Sequence, residues 1–277
     1  MVSERASQLL LGLALSLAIS LVAYRQRMLS GHGVVGAVMT GTLTFGMGGW
    51  LWGWLLVVFF TTSSLLSRYR SADKVAVQAR FAKGGRRDLG QVLANGGMGA
   101  LLALIAGLTG AAWAFPAYLG TLAAVNADTW ATELGVLSRQ RPRLITTGQV
   151  VPAGTSGGIT VLGTAAALAG GLLIGLAAVA WAGGALATGS RPPADLARWP
   201  WWTAAGGLVG TFVDSVLGAT VQRVYYCERC HEETERQVHT CGATARRHRG
   251  WGWLTNDIVN LLSALAGGLS VLGMAQW

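Results

Sequence analysis

Residues 200–222 read PWWTAAGGLVGTFVDSVLGATVQ, and Asp214 is the one charge between the flanking Arg198 and Arg223. As a helix this stretch rises about 35 Å, enough to cross a hydrocarbon core of about 30 Å. Gly206, Gly210, Asp214, Gly218 and Gln222 recur every four residues. That spacing draws a stripe of small and polar groups along one face, which meets another helix rather than lipid. A carboxylate in such a stripe costs a few kcal/mol to insert, so a site that uses it is expected.

Working outward, the 277 residues are 52% hydrophobic and 12% charged, with 40 glycines and a mean hydropathy of +0.46. A soluble domain carries about 25% charge and about 7% glycine. The composition excludes an ordinary soluble domain, a disordered chain and a disulfide scaffold. Eight apolar runs reach membrane-spanning length: 7–24, 31–48, 49–66, 91–114, 116–137, 158–187, 200–222 and 251–275. The second and third are joined at Gly48-Gly49. The sixth is rich in glycine (Gly170, Gly171, Gly175), which leaves open a tilt, a break or a re-entrant turn. The first run has no small-residue cleavage site before Arg25 and reads as an uncleaved helix. The expected fold is an all-α polytopic transmembrane bundle of about eight spans. It is one membrane domain over 1–277, with a small Cys-rich loop over 223–250.

Alternating the spans places 18 of the 21 Lys and Arg residues in the loops 25–30, 67–90, 138–157 and 223–250. The other side holds only Arg5, Arg191 and Arg198. The basic side is therefore cytoplasmic, with both termini on the outer side. The same rule accounts for the net charge of +9, so nucleic acid is not an expected partner.

Four carboxylates fall inside spans: Asp128, Glu133, Asp214 and Asp257. At helical rise, Asp214 and Asp257 sit about 13 and 12 Å below the basic side, Glu133 and Asp128 about 9 and 16 Å, and Asn95 about 12 Å. Four helices thus put polar groups at one level, in the cytoplasmic half. Gln91, Asn95 and Gly99 repeat the stripe. Asn256, Asn260, Ser263 and Gly267 make a third, with Asp257 beside it. Asn126, Thr129 and Glu133 share a face, while Asp128 points about 140° away. A shared cavity open to the cytoplasm follows. Helix-to-helix glue is the plainer alternative, but Asn or Ser would serve that purpose at lower cost.

Two loops carry phosphate chemistry. Seven basic residues lie between Arg68 and Arg87, among them Lys74, Lys83 and Arg86. Arg grips phosphate bidentately and Lys acts as a point charge, although membrane orientation or anionic lipid would also account for the charge. Gly154-Thr155-Ser156-Gly157-Gly158 precedes the sixth span, where backbone N–H groups at a helix start attract anions. It is not a Walker A loop. Gly31-His-Gly33-Val-Val-Gly36 matches the dinucleotide fingerprint as text, but it follows no strand and reads as tight helix packing. Cys227, Cys230, His239 and Cys241 have the spacing of a four-ligand structural zinc site, with His231 and His248 as substitutes.

Several motifs in order resemble one family: SSLLSR at 63–68, GRR at 85–87 leading to QVLANGG at 91–97, NADTWATE at 126–133, PRLITTG at 142–148, GTSGG at 154–158, GTFVDS at 210–215 and NDIVN at 256–260. Together they are similar to the integral membrane family of human transmembrane protein 19, which includes plant phytyl phosphate kinase. The resemblance runs from about residue 30 to 275 and leaves out the first helix. It implies phosphorylation of a prenyl monophosphate to the diphosphate by a nucleoside triphosphate, CTP or ATP, with CTP favoured. Two elements depart from the family: SSLL usually ends Thr-Lys and here ends Ser67-Arg68, and the glycine loop has Ser156 where Asn or Asp is usual. Either departure bears on nucleotide choice.

Under that resemblance Asp128, Asp214 and Asp257 hold Mg²⁺, with Asn95, Asn126, Asn256, Asn260 and Glu133 orienting groups around it. Lys74, Lys83, Arg86, Arg87, Arg143 and the Gly154–Gly158 loop bind phosphates. The lipid tail lies between helices among membrane lipids. The main alternative is an ion-coupled transporter using the buried carboxylates. A non-catalytic scaffold or a lipid nucleotidyltransferase are the others.

Overall fold

The computed structural model describes residues 2–186 and 193–277; Arg191 and the end of the sixth expected span lie outside them. Hydrophobic runs become helices at all eight expected places. They are α1 (Val2–Arg25), α2 (Gly31–Leu43), α3 (Trp50–Arg68), α5 (Leu89–Thr109), α6 (Ala114–Gly135), α7 (Val161–Leu186), α8 (Trp199–Thr220) and α9 (Asn256–Met274), with a short unexpected α4 (Ser71–Gln78) in the basic loop. Five of them, α1, α3, α5, α7 and α9, are long and apolar enough to cross a membrane. The other three differ for visible reasons. α2 stops after 13 residues in a π-helical turn, Thr44–Gly48, and Gly49 at φ 91° turns the chain into α3. α6 and α8 each have 22 residues but carry the polar groups of the site.

α6 runs through the centre, with every residue from Ala117 to Ala127 buried, and packs on α5, α7, α8 and α9. Glycines set how closely the helices approach. A Cβ on Gly267 of α9 would meet Ala124 Cβ at 2.5 Å, Gly120 O at 2.8 Å and Gly206 O at 2.9 Å. Gly120, Gly206 and Gly267 therefore bring three backbones together at one point, as the stripe on α8 requires. Tyr118 fastens α3 to this core: its hydroxyl donates to Trp52 O at 2.6 Å, and its ring stacks on Trp52 at 4.5 Å. α7 is unbroken, because Gly170, Gly171 and Gly175 lie against α6 and α8 rather than opening a turn. The false dinucleotide motif is packing, as expected. A Cβ on Gly33 would fall 2.1 Å from Arg87 O, and one on Gly36 2.9 Å from Leu89 Cδ1.

The chain is helical but not purely so. β1 (Arg143–Leu144) and β2 (Gly158–Ile159) form an antiparallel pair. The Cys-rich segment is no loop: β3 (Val224–Cys227), β4 (Glu232–Thr234) and β5 (Arg246–Arg249) make an antiparallel sheet in the order β4-β3-β5. Its small core, Tyr225, Cys227 and Ala245, is too slight to stabilise so short a segment alone.

Candidate functional site

At one end of the bundle a polar cavity of about 400 Å³, open to solvent, lies between α4, α5, α6, α8, α9 and the loop before α7. The stripes of the four site helices meet there. Asp128, Glu133, Asp214, Asp257, Asn95, Asn256 and Asn260 all line it, as do Lys74, Lys83, Arg87 and the whole of Gly154–Gly158. Asn260 Nδ2 donates to Asn95 Oδ1 at 3.4 Å, joining α9 to α5.

The carboxylates divide by partner. Glu133 is neutralised: Lys74 Nζ donates to its Oε2 at 2.7 Å and Ser67 Oγ to its Oε1 at 2.6 Å. Lys74 is 1% exposed and also donates to Leu66 O at 2.7 Å. Asp257 is paired too, with Lys83 Nζ at 2.5 Å from Oδ2, and the same ammonium reaches Asp88 Oδ1 at 2.8 Å. Partial burial lowers the Lys83 pKa, but hydrogen bonds to Asp257 and Asp88 outweigh it and hold the ammonium above the usual lysine value. Asp214 is different. Its Oδ2 is sealed from solvent with no hydrogen-bond partner, while the charges of Asp128 and Glu235 lie near enough to repel its own. A buried carboxylate oxygen facing further carboxylates is a group that a hard divalent cation would satisfy.

Glu235 had no signal in the sequence. It follows β4 and reaches the cavity from the Cys-rich segment. Its Oε1 accepts from Gln222 Nε2 at 2.6 Å and Ser156 Oγ at 3.2 Å, and its Oε2 from Ala82 N at 3.1 Å. Burial lifts this carboxyl above the usual glutamate range, against the pull of those three donors. The same stretch is stitched to the basic loop. Glu235 N donates to Arg80 O at 2.9 Å, Arg236 Nε to Phe81 O at 2.8 Å, and Arg80 pairs with Glu232 at 2.8 Å. The Cys-rich segment therefore holds residues 80–82 beside the cavity.

Other expected residues fall elsewhere. Asn126 does not reach the cavity: fully buried, it donates to Gly170 O at 2.8 Å and accepts from Ser63 Oγ at 3.3 Å, so it clamps α6 to α7 and α3. Arg86 is exposed and lies over the Tyr24 ring at 5.9 Å. Arg143 is exposed and donates to Gly148 O at 2.8 Å. The glycine loop does not cap α7, since β2 intervenes and Thr160 Oγ1 accepts from Gly163 N at 2.9 Å instead. Gly154 and Gly157 have φ of +83° and +84°. They shape a turn pressed against Val77 and Ala219, where side chains would collide.

Cys227, Cys230, His239 and Cys241 present their ligand atoms within 4.8 Å of one another and could hold a metal ion. His239 Nδ1 lies 3.3 Å from Cys241 Sγ, and its Nε2 lies 3.1 Å from Glu232 Oε1. That Nε2 is buried and makes no hydrogen bond, although the Glu232 carboxylate stands beside it. His231 and His248 lie outside the group.

A helical bundle with a polar, carboxylate-lined cavity at one end defines an integral membrane protein with a site of its own. Residues 14–268 match the family described as Integral membrane protein DUF92, and the chain belongs to that family. It is 34% identical to Protein PGR of Arabidopsis thaliana over 93% of each chain, and 32% identical to an uncharacterized membrane protein of Methanocaldococcus jannaschii over 91% of this chain and 87% of that one. It is also 24% identical to the chloroplastic Protein VTE6 of Arabidopsis thaliana, over 90% of this chain and 66% of that one. The motifs quoted from the sequence fall within the matched residues, so the resemblance to an integral membrane family holds. The match begins at residue 14 and so takes in the second half of α1, which the motif resemblance from about residue 30 left out. No solved structure matches the fold.

Proposed function

We propose that the protein is a membrane-embedded kinase that phosphorylates a prenyl monophosphate, of phytyl or geranylgeranyl type, to the diphosphate, with CTP as the favoured donor over ATP. The observation that carries this reading is Asp214 Oδ2, sealed and without a partner, in a cavity that also holds Lys83, Arg87 and a glycine-rich turn. Acidic oxygens beside basic donors are what two phosphates and a magnesium ion need together.

All eight hydrophobic helices cross the membrane in this reading, α2 together with the π-helical turn that extends it, with the cavity toward the cytoplasm and both termini outside. α6 and α8 manage this despite their polar groups because neighbouring helices, not lipid, surround their polar faces. The sheet of residues 223–250 covers the cavity from the cytoplasm.

Five carboxylates and four cations line the cavity among the described residues, and two pairs, Lys74–Glu133 and Lys83–Asp257, neutralise each other. Asp128, Asp214 and Glu235 remain without a cationic partner. These three, rather than the set with Asp257, would hold Mg²⁺. When bound, Mg²⁺ neutralises charge on the nucleotide phosphates. Arg87 and Arg223 face the cavity to receive phosphate oxygens. The Lys74–Glu133 pair holds α4 against α6, and Asn95 with Asn260 fixes the spacing of α5 and α9. An oxygen of the prenyl monophosphate attacks the γ-phosphorus, the bond to the β-phosphate oxygen breaks, and a nucleoside diphosphate leaves. The attacking oxygen is already anionic, so no general base is required.

The Cys227, Cys230, His239 and Cys241 group is assigned to structural zinc. Its Cys227–Cys241 Sγ separation of 3.7 Å matches the edge of about 3.8 Å in a tetrahedron with 2.3 Å Zn–S bonds.

The test uses purified protein in detergent with Mg²⁺. Phytyl, geranylgeranyl and farnesyl monophosphates are offered with CTP or ATP, and products are read by mass spectrometry. Prenyl diphosphate with nucleoside diphosphate, lost in Asp214→Asn, supports the kinase. Release of pyrophosphate with a lipid nucleotide would make it a nucleotidyltransferase. No product from folded protein would favour ion-coupled transport.

A further inference from the structure

A second cleft, partly open to the outside, lies between α1, α2, α3 and α5, and its wall is almost wholly hydrocarbon. Ile19 and Leu29 line it on one side, Leu56 and Phe60 on the other. Its polar end is made by Arg87, Gln91 and Asn95, which also line the large cavity, so the two spaces meet at these three residues. Gly41 and Phe45 line it farther along. Along α2 and the π-helical turn that follows it, the lining runs from Ala37 to Phe45, eight residues or about 12 Å.

Arg87 is firmly placed at the junction. Its backbone is clamped to the α1–α2 connection, with Arg87 N donating to Met28 O at 2.9 Å and Ser30 N to Arg87 O at 3.0 Å. Its Nη1 donates to Ser64 Oγ at 2.7 Å, and its guanidinium covers the Phe60 ring at 5.4 Å. An arginine has five donors, and this fixed fork leaves most of them for an anion where the cleft and the cavity join.

We propose that this cleft is the tail-binding site for one hydrocarbon chain, of the prenyl type, whose terminal monophosphate sits on Arg87. The assignment rests on the kinase reading for its substrate, but on the cleft for its place. An apolar channel opening onto a fixed cation matches an amphiphile with an anionic end. α1 gains a role by it, as the outer wall of the slot.

The experiment labels the wild-type protein in detergent with geranylgeranyl monophosphate bearing a diazirine at the far end of its chain, and maps the adducts by mass spectrometry. A second arm uses a straight-chain hexadecyl phosphate with the same group. The expected adducts fall on residues 15–20 and 37–45. Excess unlabelled geranylgeranyl monophosphate competes, and geranylgeraniol competes at least tenfold less well. Stronger labelling by the hexadecyl arm would assign the cleft to fatty-chain phosphates and overturn the prenyl assignment. Adducts on the outer faces of α7 or α9 would overturn the site itself. In parallel, Gly96→Leu fills the slot from α5, where a new Cβ meets only Thr40 atoms at 3.8 Å. Turnover of a C20 monophosphate relative to a C5 one should fall at least tenfold in this variant, with the C5 rate unchanged. Turnover with an unchanged ratio and adducts elsewhere removes the tail site and leaves the kinase standing. Adducts in the cleft without any turnover remove the kinase and leave the tail site standing.

Discussion

Lys74 on α4 and Glu133 on α6 form an ion pair of 2.7 Å at the edge of the cavity, with the lysine 1% and the glutamate 17% exposed. Both were expected to act on substrate: Lys74 on phosphate, Glu133 around the metal. Instead each satisfies the other, and Ser67 and the Leu66 carbonyl complete the cluster. The pair ties the short helix of the basic loop to the central helix of the bundle. It is best understood as holding the cavity wall, which leaves substrate contact to other groups.

Removing one partner of such a pair strands the other charge. Lys74→Met is expected to cost about 3–5 kcal/mol of stability, as for other buried pairs that lose one member. The double variant Lys74→Met with Glu133→Gln should recover much of that loss. Thermal unfolding in detergent of the two single variants and the double variant gives the coupling. Additive losses would show that the two side chains do not depend on each other.

Asp214 should behave in the opposite way. Its Oδ2 has no partner, so Asp214→Asn removes a desolvated charge. The melting temperature is expected to stay level or rise, while formation of prenyl diphosphate disappears. Glu235→Gln leaves one acceptor oxygen, so it loses either the bond from Ala82 N or those from Gln222 and Ser156, and it is expected to raise the Mg²⁺ concentration needed for half-maximal rate by about 10–100-fold, the scale seen when groups around a metal are altered. Asp257→Asn should leave that requirement nearly unchanged. If Asp257→Asn raised it and Glu235→Gln did not, Asp257 would return to the metal site.

How far the sequence could be read follows from the range of the interactions. The α8 stripe was legible because four-residue spacing within one helix reports a face directly, and Gly206 and Gly210 do pack on α6 and α9. The shared level of Asn95, Asp128, Asp214 and Asp257 was legible because helical rise converts position to depth. Pairing was not. Nothing local says that Lys74 meets Glu133 fifty-nine residues on, or that Asn126 turns to Gly170 rather than to the cavity. Glu235 was invisible for the same reason, since it reaches the cavity only after the β4-β3-β5 sheet has folded over residues 80–82. The sheet itself was read as a loop because strands such as RRHR at 246–249 lack apolar alternation.

Glu232 stands beside His239 and Glu235, three residues on, lines the cavity, so an ion on the Cys/His group would be tied to the cavity wall through this short stretch. Purified protein is expected to carry one zinc per chain by elemental analysis, and Cys227→Ser to lose it. The metal-free variant should become sensitive to protease between residues 223 and 250, with the membrane helices intact. A wild type without zinc, or a variant as resistant as the wild type, would remove the structural ion.

The last prediction concerns pH and the Lys83 clasp, which joins Asp88 at the start of α5 to Asp257 at the start of α9. Burial raises the Asp88 pKa, but the hydrogen bonds from Lys83 and from the backbone of Gln91 and Gly90 outweigh it and hold the carboxyl below its ordinary 3.8. Lys83 is held above its ordinary 10.5. A depressed carboxyl contributes stability above its unfolded value and loses it as pH falls through the folded one. A raised ammonium contributes fully below its unfolded value and loses it as pH rises through the folded one. The stability difference between wild type and Lys83→Met should therefore be flat from about pH 5 to about pH 9 and shrink on the acid side as the carboxylates protonate. Asp88 is 41% exposed, so solvent screening keeps its arm of the clasp at about 1 kcal/mol or less. Thermal unfolding in detergent at several pH values measures the difference, and a gap that widened toward acid would contradict the ion-paired clasp.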